Sequence, residues 1–195
     1  MRNVLILGAN GSIAREATRL FLDETDAQLT LFLRDPRRLG HTVPDRARVV
    51  RGDVLDDAAL REAMTGQDAV YAGLAGDLEH MARAIVGAMG ETGVRRLVFI
   101  SSMGVYDEVP GQHYSSVLDP YRKAAEVIEA SDLDYTILRP AWFTSADEVD
   151  YDTTQKGEPF RGGVVSRKSV AALVVKLAMS PDLEVRSSLG VSRPE

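Results

Sequence analysis

Hydrophobic positions alternate between two textures along this chain. Short, mostly apolar runs at residues 4–7 (VLIL), 29–33 (LTLFL), 47–50 (ARVV), 68–71 (DAVY), 97–100 (LVFI) and 135–138 (YTIL) have the length and composition of buried strands. Between them, apolar residues recur at helical spacing. Ala14, Ala17, Leu20 and Phe21 make one such face, and Leu60 and Met64 belong to another. The pattern predicts a third helix over 78–92, stopped by Gly93, and a fourth over 120–130 with Pro120 in its first turn. A last helix, capped by Ser166, carries Val170, Leu173, Val174 and Leu177; Arg167 and Lys168 stand at its start, against the helix dipole.

Strands that alternate with helices imply right-handed crossovers and a parallel sheet. The expected fold class is therefore α/β, a Rossmann-type, doubly wound parallel sheet. The 195 residues suit one domain over 1–195, and no repeat, low-complexity tract or linker interrupts them. Two stretches, 104–118 and 143–163, are irregular and richer in Gly, Pro and polar residues. They follow the fifth and sixth strands and so fall at the carboxyl edge of the sheet, where ligands bind in open α/β folds. They are the expected substrate side.

Composition narrows the function. The chain has no cysteine, which excludes a disulfide framework, thiolate metal sites and a cysteine nucleophile, and suits a reducing cytoplasm. A net charge of −6 gives no general footprint for nucleic acid. No apolar stretch approaches a membrane span, and the N-terminal run reads as a strand rather than a signal peptide. The expected partner is a small-molecule substrate, with no nucleic acid and no membrane, and a monomer or homodimer. His41, His80 and His113 are scattered without ligand spacing, so no metal is expected.

The informative motif is Gly8-Ala9-Asn10-Gly11-Ser12-Ile13-Ala14, between the first strand and the first helix. Gly8 permits the tight turn, Gly11 lets the backbone approach a diphosphate, and Ala14 lets helix pack on strand. The helix start presents unpaired N–H groups to the anion. At the end of the second strand stands Leu33-Arg34-Asp35-Pro36-Arg37-Arg38. An NAD site holds the ribose with an acidic residue here; guanidiniums suit the additional phosphate of NADP(H). Asp35 is discordant, since its carboxylate would repel that phosphate. Asp53, after the third strand, is placed to meet the adenine, while either Asp53 or Asp56 caps the next helix.

With GANGSIA, LRDPRRL, RGDVLDDAAL, GQDAV, LVFISSMGVY, ASDLDYTILRPAW and VVSRKSVAAL, the chain resembles the atypical short-chain dehydrogenase/reductases with an NAD(P)H-binding domain. It is most similar to the small NmrA-like and flavin/biliverdin-IXβ reductase-like members. The resemblance implies that Gly8, Asn10, Gly11, Ser12 and Ile13 contact the diphosphate and ribose. It puts Arg34 and Arg38 on the NADP phosphate, Asp53 and Val54 on the adenine, and Leu74 and Ala75 along the middle of the cofactor. Ile100, Ser101, Ser102, Tyr121, Pro140, Ala141 and Trp142 would line the nicotinamide side.

Conventional short-chain reductases lower the pKa of a catalytic tyrosine with a lysine four residues on. No tyrosine of this chain has one: Tyr121 is followed by Ala125, and Lys123 falls on another face of the helix. Ser102 and Tyr121 are the catalytic candidates that remain. Ser102 matches the catalytic-serine region and could donate to a developing oxyanion, or make a turn bond. Trp142, the sole tryptophan, is either a packing residue or a flat surface beside the acceptor. The expected function is hydride transfer from NADPH to a small planar acceptor. The alternatives are a non-catalytic NADP(H) sensor and, last, a sugar-nucleotide epimerase or dehydratase.

Overall fold

The first apolar run forms β1 (Asn3–Leu7), buried from Val4 onward because both faces of this central strand are covered by helices. In the computed structural model, which describes residues 1–39 and 45–194, there follow α1 (Ser12–Glu24), β2 (Gln28–Leu33), β3 (Ala47–Arg51), α2 (Asp57–Met64), β4 (Ala69–Ala72), α3 (Leu78–Thr92) and β5 (Arg96–Ile100). The second half adds α4 (Asp119–Glu129), β6 (Asp134–Pro140), β7 (Trp142–Thr144), β8 (Asp152–Gln155), β9 (Val164–Ser166), α5 (Arg167–Met179) and β10 (Ser187–Ser192). All six expected strands are present, with ends moved by a residue or two.

The main sheet runs β3-β2-β1-β4-β5-β6-β10-β8. Helices α1 and α5 pack on one face and α2, α3 and α4 on the other, each face closing over its own apolar cluster. The fold is thus doubly wound and mainly parallel, as the alternation of strands and helices implies, with one antiparallel strand added at the edge. β10 pairs parallel with β6, whereas β8 pairs antiparallel with β10 and forms the edge. Neither strand has a continuous apolar run. β10 (SSLGVS) works by close approach: a Cβ on Gly190 would lie 2.4 Å from Thr154 Oγ1 and 2.8 Å from the Phe160 ring. β7 and β9 form a separate parallel pair, Trp142 opposite Val164.

Helix ends explain several polar residues. Asp56 caps α2 by accepting from Ala59 N at 3.1 Å, and Ser166 caps α5 by accepting from Ser169 N at 2.9 Å. Gly93 ends α3 with φ +76°, the left-handed turn that favours glycine. The cations at the start of α5 are held from outside the helix. Lys168 Nζ sits 2.6 Å from Asp147 Oδ1, and Arg167 donates to Thr144 O at 3.0 Å and Ser145 Oγ at 3.2 Å. Their partners tie the chain after β6 to α5 and offset the unfavourable dipole.

Candidate active site

The carboxyl ends of β3, β2, β1, β4, β5 and β6 stand side by side along one edge of the sheet. At the end of β1, Gly8 turns the chain with φ +78°, and its N–H donates to Phe32 O at 3.1 Å. A Cβ there would lie 2.3 Å from Gly73 O, so the turn and the end of β4 touch backbone to backbone. Gly11 precedes α1 with extended geometry, and no side chain caps the helix. The first N–H groups of α1 are therefore left for an anion.

In front of this turn lies a cleft of about 290 Å³. Gly8, Asn10, Gly11, Arg34, Arg38, Asp53, Val54, Leu74 and Ala75, all candidates from the sequence, line it; Phe32, Leu33, Asp35, Gly52, Gly73 and Met81 complete the wall. Seven expected contacts lie outside it: Ser101, Pro140, Ala141 and Trp142 line a neighbouring pocket, and Ser12, Ile13 and Ile100 line neither. Ser12 stands exposed at the helix start. Ile13 and Ile100 point into the apolar cluster beneath α1 and α5, 7% and 8% exposed, so their side chains are core. Asp53 accepts from Leu55 N at 3.0 Å in a local turn and leaves the cap of α2 to Asp56.

The charges at the end of β2 sort themselves. Arg37 grips Asp35 with both ends of its fork, Nε to Oδ1 at 2.9 Å and Nη2 to Oδ2 at 3.1 Å. That hydrogen bonding holds the Asp35 carboxyl below its ordinary range and occupies the carboxylate. The Arg34 and Arg38 side chains are exposed and make no hydrogen bond or ion pair among the described residues. Arg15, not singled out from sequence, clips the turn after β1 to the segment after β2. Its guanidinium donates to Asn10 Oδ1, to Asn10 O at 3.2 Å and to Arg38 O at 2.6 Å.

A second pocket, about 430 Å³, opens at the ends of β5 and β6. Ser101, Ser102, Tyr121, Pro140, Ala141 and Trp142 meet there, joined by Met103, Gln112, Ser115, Val117, Leu118 and Phe143. Ser102 Oγ donates to Met103 O at 3.1 Å, the turn bond, whereas the buried Ser101 Oγ has no partner among the described residues. Trp142 is 71% exposed and Phe143 40%, so the tryptophan is a lip of this pocket and not a packing residue. Lys123 turns to Glu79 on α3 at 3.4 Å, and Ala125, where a dyad lysine would stand, is buried in the core. His80 pairs with Asp77, the α3 cap, at 2.6 Å; His113 is exposed, and His41 lies outside the described residues. Among the described residues no cluster of His, Asp and Glu could hold a metal ion, and no helix is long and apolar enough to cross a membrane.

A model of an NAD(P)H-binding family matches residues 8–181. A Rossmann-fold NAD(P)-binding family protein of Shigella flexneri has 44% identity and a TM-score of 0.91, covering 100% of this chain and 94% of its own. A short-chain dehydrogenase/reductase of Veillonella parvula DSM 2008, solved in complex with NADP, has 29% identity and a TM-score of 0.87, covering 99% of this chain and 95% of its own. An uncharacterized sugar epimerase of Bacillus subtilis (strain 168) is 26% identical over 189 residues, 88% of this chain and 86% of its own.

Proposed function

The chain belongs to the NAD(P)H-binding family of atypical short-chain dehydrogenase/reductase-like proteins, and on that premise we propose that it is an NADPH-dependent reductase of a small planar acceptor. One observation carries the reading: a diphosphate cleft with two unengaged arginines adjoins, across the β4 and β5 ends, a ring-sized pocket with an aromatic lip. The uncapped start of α1 takes the diphosphate, Arg34 and Arg38 the ribose phosphate, and Asp53 with Val54 the adenine. When bound, the reduced nicotinamide supplies a hydride. The chain's own part is placement and polarisation. Trp142 and Phe143 offer flat faces to the acceptor, and Tyr121 closes the α4 side. Ser101, whose hydroxyl is buried and unpartnered, donates to the acceptor's oxygen as charge develops. Ser102, the candidate from sequence, spends its hydroxyl on the turn that positions Met103.

Two measurements test this. Calorimetry is expected to show NADP(H) binding at least about tenfold tighter than NAD(H), roughly 1.4 kcal/mol, with Arg34→Ala removing most of the difference. Equal affinities in the unaltered protein end the phosphate assignment. Ser101→Ala is expected to lower kcat by about tenfold or more with cofactor affinity unchanged, while Ser102→Ala changes kcat by less than about threefold. The reverse ranking would return the role to Ser102.

Ala125 in place of a dyad lysine favours a second reading, an NADP(H)-binding sensor without turnover. NADPH oxidation assayed across flavins, quinones and tetrapyrroles separates the two, since tight cofactor binding with no turnover on any of them supports the sensor. The same alanine counts against the epimerase activity named for the Bacillus relative, because the tyrosine of such a site needs a cation to lower its pKa.

A further inference from the structure

The wall of the acceptor pocket holds no ionised side chain. Its polar groups, Ser101, Ser102, Gln112, Ser115 and Tyr121, are neutral donors and acceptors, and the remainder is apolar. The nearby cations are turned to other work. Arg122 ties down the 104–118 loop, donating to Val105 O at 3.1 Å and Ser115 O at 3.0 Å while pairing with Asp107 and Asp119. Arg167 is held by Thr144 and Ser145 and lies over the Phe143 ring at 5.4 Å, and Lys123 is paired with Glu79. His113 stands on the same loop, exposed, and is not part of the wall. The contrast with the cofactor cleft, where Arg34 and Arg38 wait for a phosphate, lies within one sheet edge.

An anionic group drawn into such a pocket would lose hydration with no counter-charge in return. A flat conjugated ring loses little and gains the faces of Trp142 and Phe143. We propose that the acceptor is an uncharged planar conjugated carbonyl compound, of which a simple quinone is the type, and that rings bearing phosphate, sulfonate or carboxylate are rejected here. This rests on the reductase reading above. The balance is that of a two-electron reduction. The quinone takes a hydride from the reduced coenzyme and a proton from water, and its two carbonyls leave as hydroquinone hydroxyls while the coenzyme leaves oxidised.

Binding can be read without turnover, because Trp142 is the sole tryptophan and lies at the pocket mouth. Protein saturated with 1,4,5,6-tetrahydro-NADP, whose ring is uncharged like the reduced nicotinamide but gives up no hydride, is verified by calorimetry and titrated by tryptophan fluorescence with matched rings, with correction for probe absorbance. The pairs are 1,4-naphthoquinone against its 2-sulfonate and lumiflavin against flavin mononucleotide. The neutral member of each pair is expected to bind at least about tenfold tighter. Val117→Arg, which sets a cation on the exposed lip, is expected to narrow that gap to less than about threefold by strengthening the anion. Equal or tighter binding of the sulfonate or the phosphate by the unaltered protein overturns the proposal. So does failure of both neutral rings to bind protein that holds the tetrahydro coenzyme. Failure to hold any form of the coenzyme is seen separately and removes the reductase reading itself.

Discussion

Replacing Gly8 with alanine is expected to weaken NADPH binding by at least about a hundredfold and to lower stability by roughly 2–4 kcal/mol. Two effects combine at this residue. Its φ of +78° is costly for any side chain, and a Cβ would stand 2.3 Å from the Gly73 carbonyl oxygen. The second contact is backbone on both sides, so no rotamer relieves it; β1 and β4 would have to part at their carboxyl ends. That movement also draws on the bonds from Gly8 N and Ala9 N to Phe32 O, and it opens the turn proposed to seat the diphosphate. Gly66 supplies the control. It has φ +76° with nothing within 4 Å of a Cβ, so Gly66→Ala is expected to cost only about 1 kcal/mol and to leave cofactor affinity unchanged. Calorimetry with NADPH and urea unfolding of both variants make the comparison. A Gly8→Ala protein that binds NADPH within threefold of the original would show that the turn does not seat the diphosphate.

Gly8 was legible in the sequence because the motif and its strand–helix context are local. Gly73, which the same contact requires to be close by, was not: its role arises from the pairing of β4 with β1, and nothing in GLAGD announces it. The central strands were legible for a related reason. Burial on both faces compresses Val4–Leu7 or Leu97–Ile100 into unbroken apolar runs, whereas β8 and β10 are set by contacts among small and polar residues far apart in the chain. In the site, most residues named for the diphosphate and adenosine line one cleft; Ser12 stands outside it, and at Ile13 and Ile100 the direction of the side chain decides between cleft and core. The acceptor side was harder. The sequence pattern puts the catalytic serine at Ser102; the turn that takes up the Ser102 hydroxyl and the buried Ser101 hydroxyl beside it arise only in the fold. Gln112 and Val117 reach the pocket because distant residues fold their loop over it. Those anchors are open to test.

Glu108→Gln is expected to destabilise the protein by about 3–5 kcal/mol near neutral pH, with a fall in Tm of about 10 °C, and to raise the KM for the acceptor while NADPH affinity stays unchanged. Arg139 is wholly buried in β6, and its Nη1 meets Glu108 Oε1 at 2.5 Å. Its Nε and Nη2 donate to Ser188 on β10 at 3.1 Å each. Glu108 in turn gathers its own loop, accepting from Gly104 N at 3.0 Å and Tyr106 N at 2.9 Å, while its carbonyl takes Phe160 N at 2.9 Å. Removing the carboxylate strands a buried guanidinium and releases the loop that carries Gln112, Ser115 and Val117. Burial alone would raise the Glu108 pKa, but the backbone donors and Arg139 outweigh it and hold the carboxyl below its ordinary value. A lowered folded-state pKa gives stability that is fully present above the unfolded value, about 4.3, and is lost as pH falls through the folded value. The gap between the original protein and Glu108→Gln, measured by urea unfolding, is therefore expected to be wide at pH 7 and to shrink steadily below pH ~4. A gap that stays constant with pH would mean that Glu108 acts through its shape and hydrogen bonds rather than its charge, and an unchanged acceptor KM would separate this anchor from the acceptor pocket.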